Sequence, residues 1–326
     1  MSEISETRET PEIVLRAENL GRRFGDFQAL KGLSFTLERG EVCGFIGPNG
    51  AGKTTAMRIL ATLDVPSEGE VWVCGDSALQ HADRVRPRIG FMPDQYGQYE
   101  DMSCEEYLDF FARAYDYRAG ERRERVEAVI AFTGLEALRA KLMSKLSKGM
   151  KQRLCLGRSL LHDPELLLFD EPAAGLDPRA RAELRDLILE LSRRGKTVFV
   201  SSHILGELED MCTHVAILEG GELKYKGPIG AAQHAAEAST RYRLRALEAP
   251  EQLLRFLIQQ PLVGEAQLQG REVELRYEGD EKAWSALLTA AMGAGFAIVE
   301  SRQVEGHLEA AFLAMTRPAY SKGTAP

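Results

Sequence analysis

Gly47-Pro48-Asn49-Gly50-Ala51-Gly52-Lys53-Thr54-Thr55 is the stretch whose residue types and spacing most directly imply chemistry. It fits G-x-x-x-x-G-K-[ST], a phosphate-binding loop. The glycines let the backbone curl until several amide N–H groups converge on phosphate oxygens. Lys53 adds a cation for the β- and γ-phosphates, and the Thr54 hydroxyl can reach a Mg²⁺ ion that bridges them. Such a loop must follow a strand and open a helix. Glu41 to Ile46 is short and largely apolar, as a buried strand is, and Thr55 to Ala61 has helical character, with an N-terminus that favours anions.

A second group of residues lies further on. Leu166-Leu167-Leu168-Phe169-Asp170-Glu171 is an apolar run ending in two carboxylates. Runs of this kind suit a parallel sheet covered on both faces, where ligands bind beyond the C-terminal ends of the strands. Acids there are costly unless used. Asp170 is placed to hold Mg²⁺ through its water shell, and Glu171 to orient or deprotonate an attacking water. Pro172 and a glycine-containing loop argue against a mere helix cap. Thr197-Val198-Phe199-Val200 reads as a further buried strand with Ser201-Ser202-His203 at its end. A single histidine is usually structural, but at this edge His203 can touch a γ-phosphate. Ser147 stands at an N-cap position, and spacing alone favours an ordinary capped helix there. Phe24 and Phe27 lie on a strand connection, where either packs the edge or stacks on an adenine base.

The elements that must position these groups are legible in outline. Residues 13 to 46 read as strands with a turn at Arg39-Gly40, and Glu70 to Val73 and Ile89 to Pro93 as further sheet segments. From Ser103 the period becomes helical: Ser103 and Glu106 form a capping box, and a second helix, Glu121 to Thr133, stops at Gly134. This is a helical insertion between two halves of an α/β sheet. Arg179 to Arg193 is a long amphipathic helix after the Ala174-to-Pro178 turn, and Val215 to Tyr225 a hairpin across Gly220-Gly221. Beyond residue 235 the pattern is β-α-β-β-α-β, the ferredoxin-like order, followed by a last helix at Leu308 to Met315.

Composition narrows the class. A chain of 326 residues with 44% apolar content forms one large or two smaller domains. A net charge of −8 and a pI near 5.5 argue against a nucleic-acid partner held by bulk electrostatics. The five scattered cysteines have no C-x-x-C spacing and read as reduced cytosolic thiols. The polar, acid-rich first dozen residues lack the pattern of a signal peptide, and no apolar run is long enough to span a membrane.

Together, from about Ile13 to Gln233, these motifs resemble the ATPase subunit of an ABC transporter, a P-loop NTPase with a helical insertion. The resemblance implies ATP and Mg²⁺ as ligands. It makes Phe24 the adenine-stacking aromatic, Gly47 to Thr54 the Walker A loop, Asp170 and Glu171 the Walker B end with its catalytic carboxylate, and His203 the switch histidine. It further makes Leu146 to Met150 (Ser147, Lys148, Gly149, Met150) the signature that caps ATP across a dimer, and Asp177 part of the D-loop. The implied partners are a second copy and a transmembrane permease, with the chain peripheral on the cytoplasmic face of the membrane. Two departures stand out. The signature reads Leu-Ser-Lys-Gly-Met where the family favours Leu-Ser-Gly-Gly-Gln. Asp94 stands where a glutamine usually approaches Mg²⁺, with Gln95 next; alternation along an extended segment favours Asp94 as the metal-facing residue. The expected layout is a tail to residue 12, an ATPase domain at 13–235 with its helical part at about 98–160, a ferredoxin-like domain at 240–317 resembling that of two-component exporters, and a tail at 318–326. The competing class, a soluble ABC ATPase acting on ribosomes or DNA, is disfavoured by the single cassette and the lack of long coiled coils or zinc modules.

Overall fold

The computed structural model describes residues 12–95, 97, 99–231 and 240–304. Apart from Glu12, which pairs with Arg39, the expected terminal tails lie outside them, as do the end of the resemblance at Gln233 and the final helix at Leu308 to Met315. The chain divides into two compact units between Pro228 and Ile229.

In the first unit the order is β1 (Ile13–Phe24), β2 (Phe27–Glu38), β3 (Val42–Ile46), α1 (Lys53–Leu60), β4 (Glu68–Val73), β5 (Asp76–Ser77), α2 (Ala82–Val85), β6 (Ile89–Met92), α3 (Cys104–Ala114), α4 (Ala119–Thr133), α5 (Lys148–Leu160), β7 (Leu166–Phe169), α6 (Pro178–Arg193), β8 (Thr197–Ser202), α7 (Leu205–Glu209), β9 (His214–Glu219) and β10 (Glu222–Pro228). Six strands form one sheet in the order β10-β9-β3-β8-β7-β6. All neighbours are parallel except the β9–β10 hairpin. Every residue of β3, β7 and β8 is buried, the signature of strands covered on both faces. The antiparallel sheet β2-β1-β4-β5 supplies part of that cover. Phe199 of β8 stacks on Phe45 of β3 at 4.8 Å between ring centroids and on Phe35 of β2 at 5.5 Å.

The helical insertion has its own apolar cluster, with Tyr107 and Leu108 of α3, Val126 and Ile130 of α4, and Leu154 of α5. Its entry is fixed by the expected capping box: the Glu106 amide donates to Ser103 Oγ at 3.3 Å, and the Ser103 amide donates to Glu106 Oε2 at 2.8 Å. Gly134 closes α4 with φ of 63°. Helix α1 begins at Lys53, two residues before the expected start, because the left-handed Gly52 already serves as its N-cap.

The second unit is a four-stranded antiparallel sheet in the order β12 (Val263–Gln269), β13 (Glu272–Tyr277), β11 (Thr240–Ala246), β14 (Ile298–Val304), with helices Pro250–Ile258 and Glu281–Gly293. That is the ferredoxin-like order expected from the pattern. Tyr242, Leu244 and Ala246 face the core, where Trp284 stacks on Tyr242 with centroids 3.6 Å apart. The last strand starts at Ile298, because the Phe296 amide donates to Ala291 O at the preceding helix end.

Candidate nucleotide site

The phosphate-binding loop joins β3 to α1 at the C-terminal edge of the parallel sheet. Two of its glycines have no substitute. A Cβ at Gly52 (φ +107°) would lie 2.7 Å from Ala29 O, and one at Gly47 would lie 2.5 Å from Leu218 O. Lys53 is buried; its Nζ donates to Gly47 O at 2.7 Å and lies 3.4 Å from Pro48 O. The ammonium thus spans the mouth of its own loop.

The neighbouring strands bring up the acids. Asp170 follows β7 and is 1% exposed. In the β7–β8 register Phe169 pairs with Val200, so Asp170 comes beside Ser201. The Ser201 hydroxyl donates to Asp170 Oδ1 at 2.7 Å and accepts from the Glu171 amide at 2.9 Å. One hydroxyl therefore sets both carboxylates. Burial pushes the Asp170 carboxyl above its ordinary value; the Ser201 and Thr54 hydroxyls pull it back, and the Glu171 and Asp94 charges raise it further.

Glu171 has φ of +50°, a left-handed conformation unusual for a residue with a side chain. Both its oxygens are engaged: Oε1 lies 3.4 Å from Lys53 Nζ, and Oε2 lies 2.8 Å from His203 Nδ1. An ionised carboxylate only accepts, so His203 carries a proton on Nδ1 in this contact. The loop after Glu171 is steadied from α5, where the buried Gln152 Nε2 donates to Pro172 O at 2.6 Å. His203 leaves β8 beside an anchor of its own, since Ser202 Oγ donates to the buried Glu207, which also pairs with Arg181 of α6.

A cavity of ≈ 460 Å³ lies over this edge, lined by Pro48 to Gly50, Gly52 to Thr55, Asp94, Glu171, Ala174 and His203. Asp94 faces it and Gln95 does not. On the aromatic side the lining residue is Phe27 rather than Phe24, on which the resemblance placed adenine stacking. Phe24 is the last residue of β1, three residues before β2 begins, 47% exposed, with the Arg22 guanidinium 4.7 Å from its ring centre. The structure thus brings together the loop, Asp94, Asp170, Glu171 and His203. It leaves Ser147 to Met150 and Asp177 off the cavity lining, at the paired starts of α5 and α6. Ser147 caps α5, accepting from the Met150 amide at 3.4 Å, and Asp177 caps α6, accepting from the Ala180 amide at 2.9 Å. Ser201 and Gln152 went unnoticed in the sequence. A small polar residue at the end of a strand neighbouring Asp170 was a signal for Ser201; nothing marked Gln152.

A glycine-rich loop at the C-terminal edge of a mostly parallel sheet, with a buried aspartate and a held glutamate on the adjoining strand, defines a P-loop nucleotide-binding domain. A family profile described as ABC transporter matches residues 30–174. The ABC transporter ATP-binding protein NatA of Bacillus subtilis is 37% identical over 213 residues, covering 64% of this chain and 87% of that one. Nod factor export ATP-binding protein I of Ralstonia nicotianae is 36% identical over 208 residues; the match covers 64% of this chain and 65% of the relative's length. Among solved structures, an ATP-binding subunit of an ABC transporter superposes with a TM-score of 0.61 at 29% identity, covering 68% of this chain and 92% of that one. A dimeric post-hydrolysis state of the ATP-binding cassette MJ0796 bound to ADP and Pi superposes with a TM-score of 0.60 at 26% identity, covering 66% and 98%. The chain belongs to the ABC transporter family, among its ATP-binding subunits.

Proposed function

We propose that this chain hydrolyses ATP as a pair with a second copy of itself and drives a separately encoded exporter permease from the cytoplasmic face of the membrane. The observation that carries hydrolysis is Glu171, held between Lys53 and His203 at the rim of the phosphate cradle. On this reading the γ-phosphate takes over Lys53 and frees Glu171. Glu171 then takes a proton from the water whose oxygen attacks the γ-phosphorus. The bond to the β–γ bridging oxygen breaks, and ADP leaves with the electron pair. His203 donates to the γ-phosphate oxygens.

The residues fit a Mg²⁺ ion shared with phosphate. Burial first, and the Glu171 and Asp94 charges after it, push the Asp170 carboxyl toward protonation, which a cation would relieve, and Thr54 and Asp94 are further oxygen donors at the same edge. Among the described residues no group of three or more His, Cys, Asp and Glu side chains is placed to hold a metal, and Mg²⁺ bound with phosphates needs only one or two carboxylates. When bound, Mg²⁺ would neutralise charge on the β- and γ-phosphates.

Support for a membrane partner is of two kinds. The relatives above are named for export or transport. A groove of ≈ 250 Å³ also lies where the helical insertion meets the parallel sheet, lined by Leu63, Phe91, Phe111, Tyr115, Arg158 and His162, among others, and it suits a short amphipathic segment of a permease. Among the described residues no helix is long and apolar enough to cross a membrane itself.

Phosphate release in Mg-ATP tests the catalytic assignment. Glu171→Gln is expected to slow turnover at least ~10²-fold while leaving ATP binding intact, the scale of a lost general base. Normal turnover in that variant would refute the role of Glu171.

A further inference from the structure

Gln152 is a polar side chain in a costly place. It lies within α5 and is 2% exposed. Its Nε2 donates to Pro172 O at 2.6 Å, but its Oε1 is buried with no hydrogen-bond partner among the described residues. A buried acceptor without a partner gives up its hydration and gains nothing in return. Methionine has a similar length and would fill the same space without that loss. Stability alone therefore does not favour glutamine here. What glutamine adds is one N–H donor aimed at one carbonyl.

That carbonyl belongs to the residue after Glu171. The φ of +50° at Glu171 persists only where the surroundings hold the backbone on both sides. On one side the Glu171 amide donates to Ser201 Oγ at 2.9 Å. On the other side Pro172 is buried and has no N–H, so its carbonyl is its one backbone hydrogen-bonding group. Within the loop the Ala174 amide donates to Glu171 O at 3.2 Å, and the Leu176 amide to Ala173 O at 3.2 Å. Gln152 adds the contact that ties this turn to a helix outside it. The same helix is packed into the insertion's apolar cluster through Leu154, so the donor is itself held in place.

We infer that Gln152 is a positioning residue for hydrolysis. By holding Pro172 it keeps the Glu171 backbone left-handed and the carboxylate at the rim of the phosphate cradle. The inference rests on the reading of Glu171 as the general base. Without nucleotide, Lys53 and His203 also hold that carboxylate. Once a γ-phosphate claims Lys53, the backbone clamp and His203 remain. Gln152 then matters to turnover and little to nucleotide affinity, since it touches neither the phosphate loop nor the cavity.

The test uses the full chain and compares Gln152→Met and Gln152→Glu with the parent, each with Glu171 intact and in the Glu171→Gln background. Gln152→Met is expected to lower kcat at least ~10-fold, the scale of a slightly misplaced catalytic group. KM for ATP and Mg-ADP affinity should stay within about twofold of the parent, which also shows that the variant is folded. In the Glu171→Gln background the same change should leave the residual rate within about twofold, because the carboxylate it positions is gone; a general loosening would slow both. Gln152→Glu separates the donor from the shape. The new carboxyl donates to Pro172 O only when protonated, so its kcat relative to the parent should climb as pH falls. Unchanged kcat in Gln152→Met, equal losses in both backgrounds, or a flat pH ratio for Gln152→Glu would overturn the inference and leave Glu171 as the base. Normal turnover in Glu171→Gln alone would overturn the base, and this inference with it.

Discussion

Glu171 is held on both oxygens, and on the proposed catalytic role that arrangement would keep it from activating water until nucleotide binds. Lys53 has two uses for its charge, the loop carbonyl of Gly47 and the carboxylate of Glu171, and a triphosphate outcompetes both. At this scale the loop residues, Asp170, Glu171 and His203 could be singled out in the sequence, because spacing and strand-end position carry their chemistry. Gln152 could not, because its contact depends on a helix meeting a loop twenty residues away, and the part Ser201 plays depends on strand register, its strand-end position being the one clue. Asp94 is the departure with a measurable consequence. It lines the cavity with Thr54 and Glu171, and Gln95 does not. Asp94→Ala is expected to raise the Mg²⁺ concentration for half-maximal ATPase activity by roughly tenfold, the scale of a supporting metal contact, while Gln95→Ala does little. A larger shift from Gln95→Ala would reverse the assignment.

The elements owe their limits to a few local devices. The buried strands stood out as continuous apolar runs, and the helical insertion as a change of period bounded by a capping box and a closing glycine. Helix starts were harder to place. Gly52 begins α1 through a left-handed backbone with no side-chain cap, whereas the Ser103 and Asp177 starts carry visible caps. The insertion's own cluster is small, so its entry cap carries weight. Ser103→Ala removes the Glu106 amide's partner and is expected to cost about 1 kcal/mol of stability. Urea unfolding should show a lower midpoint at unchanged slope. An unchanged midpoint would mean the cap adds nothing there.

The whole molecule joins an ATP-binding cassette to a ferredoxin-like unit, each with its own core. The second unit's topology was readable because its β-α-β-β-α-β order comes with alternating inward residues such as Tyr242, Leu244 and Ala246. The substrate of the proposed exporter was not readable, since on that proposal its recognition belongs to a separate permease. On the proposed function two copies of the cassette close around ATP, with Ser147 to Met150 of each capping the other's loop. Those residues lie off the cavity within one chain, which leaves them available to a second. Sedimentation velocity of Glu171→Gln tests this most directly. A monomer is expected without nucleotide or with Mg-ADP, and a dimer in Mg-ATP. A variant that binds Mg-ATP yet remains monomeric at concentrations well above its nucleotide dissociation constant would contradict it.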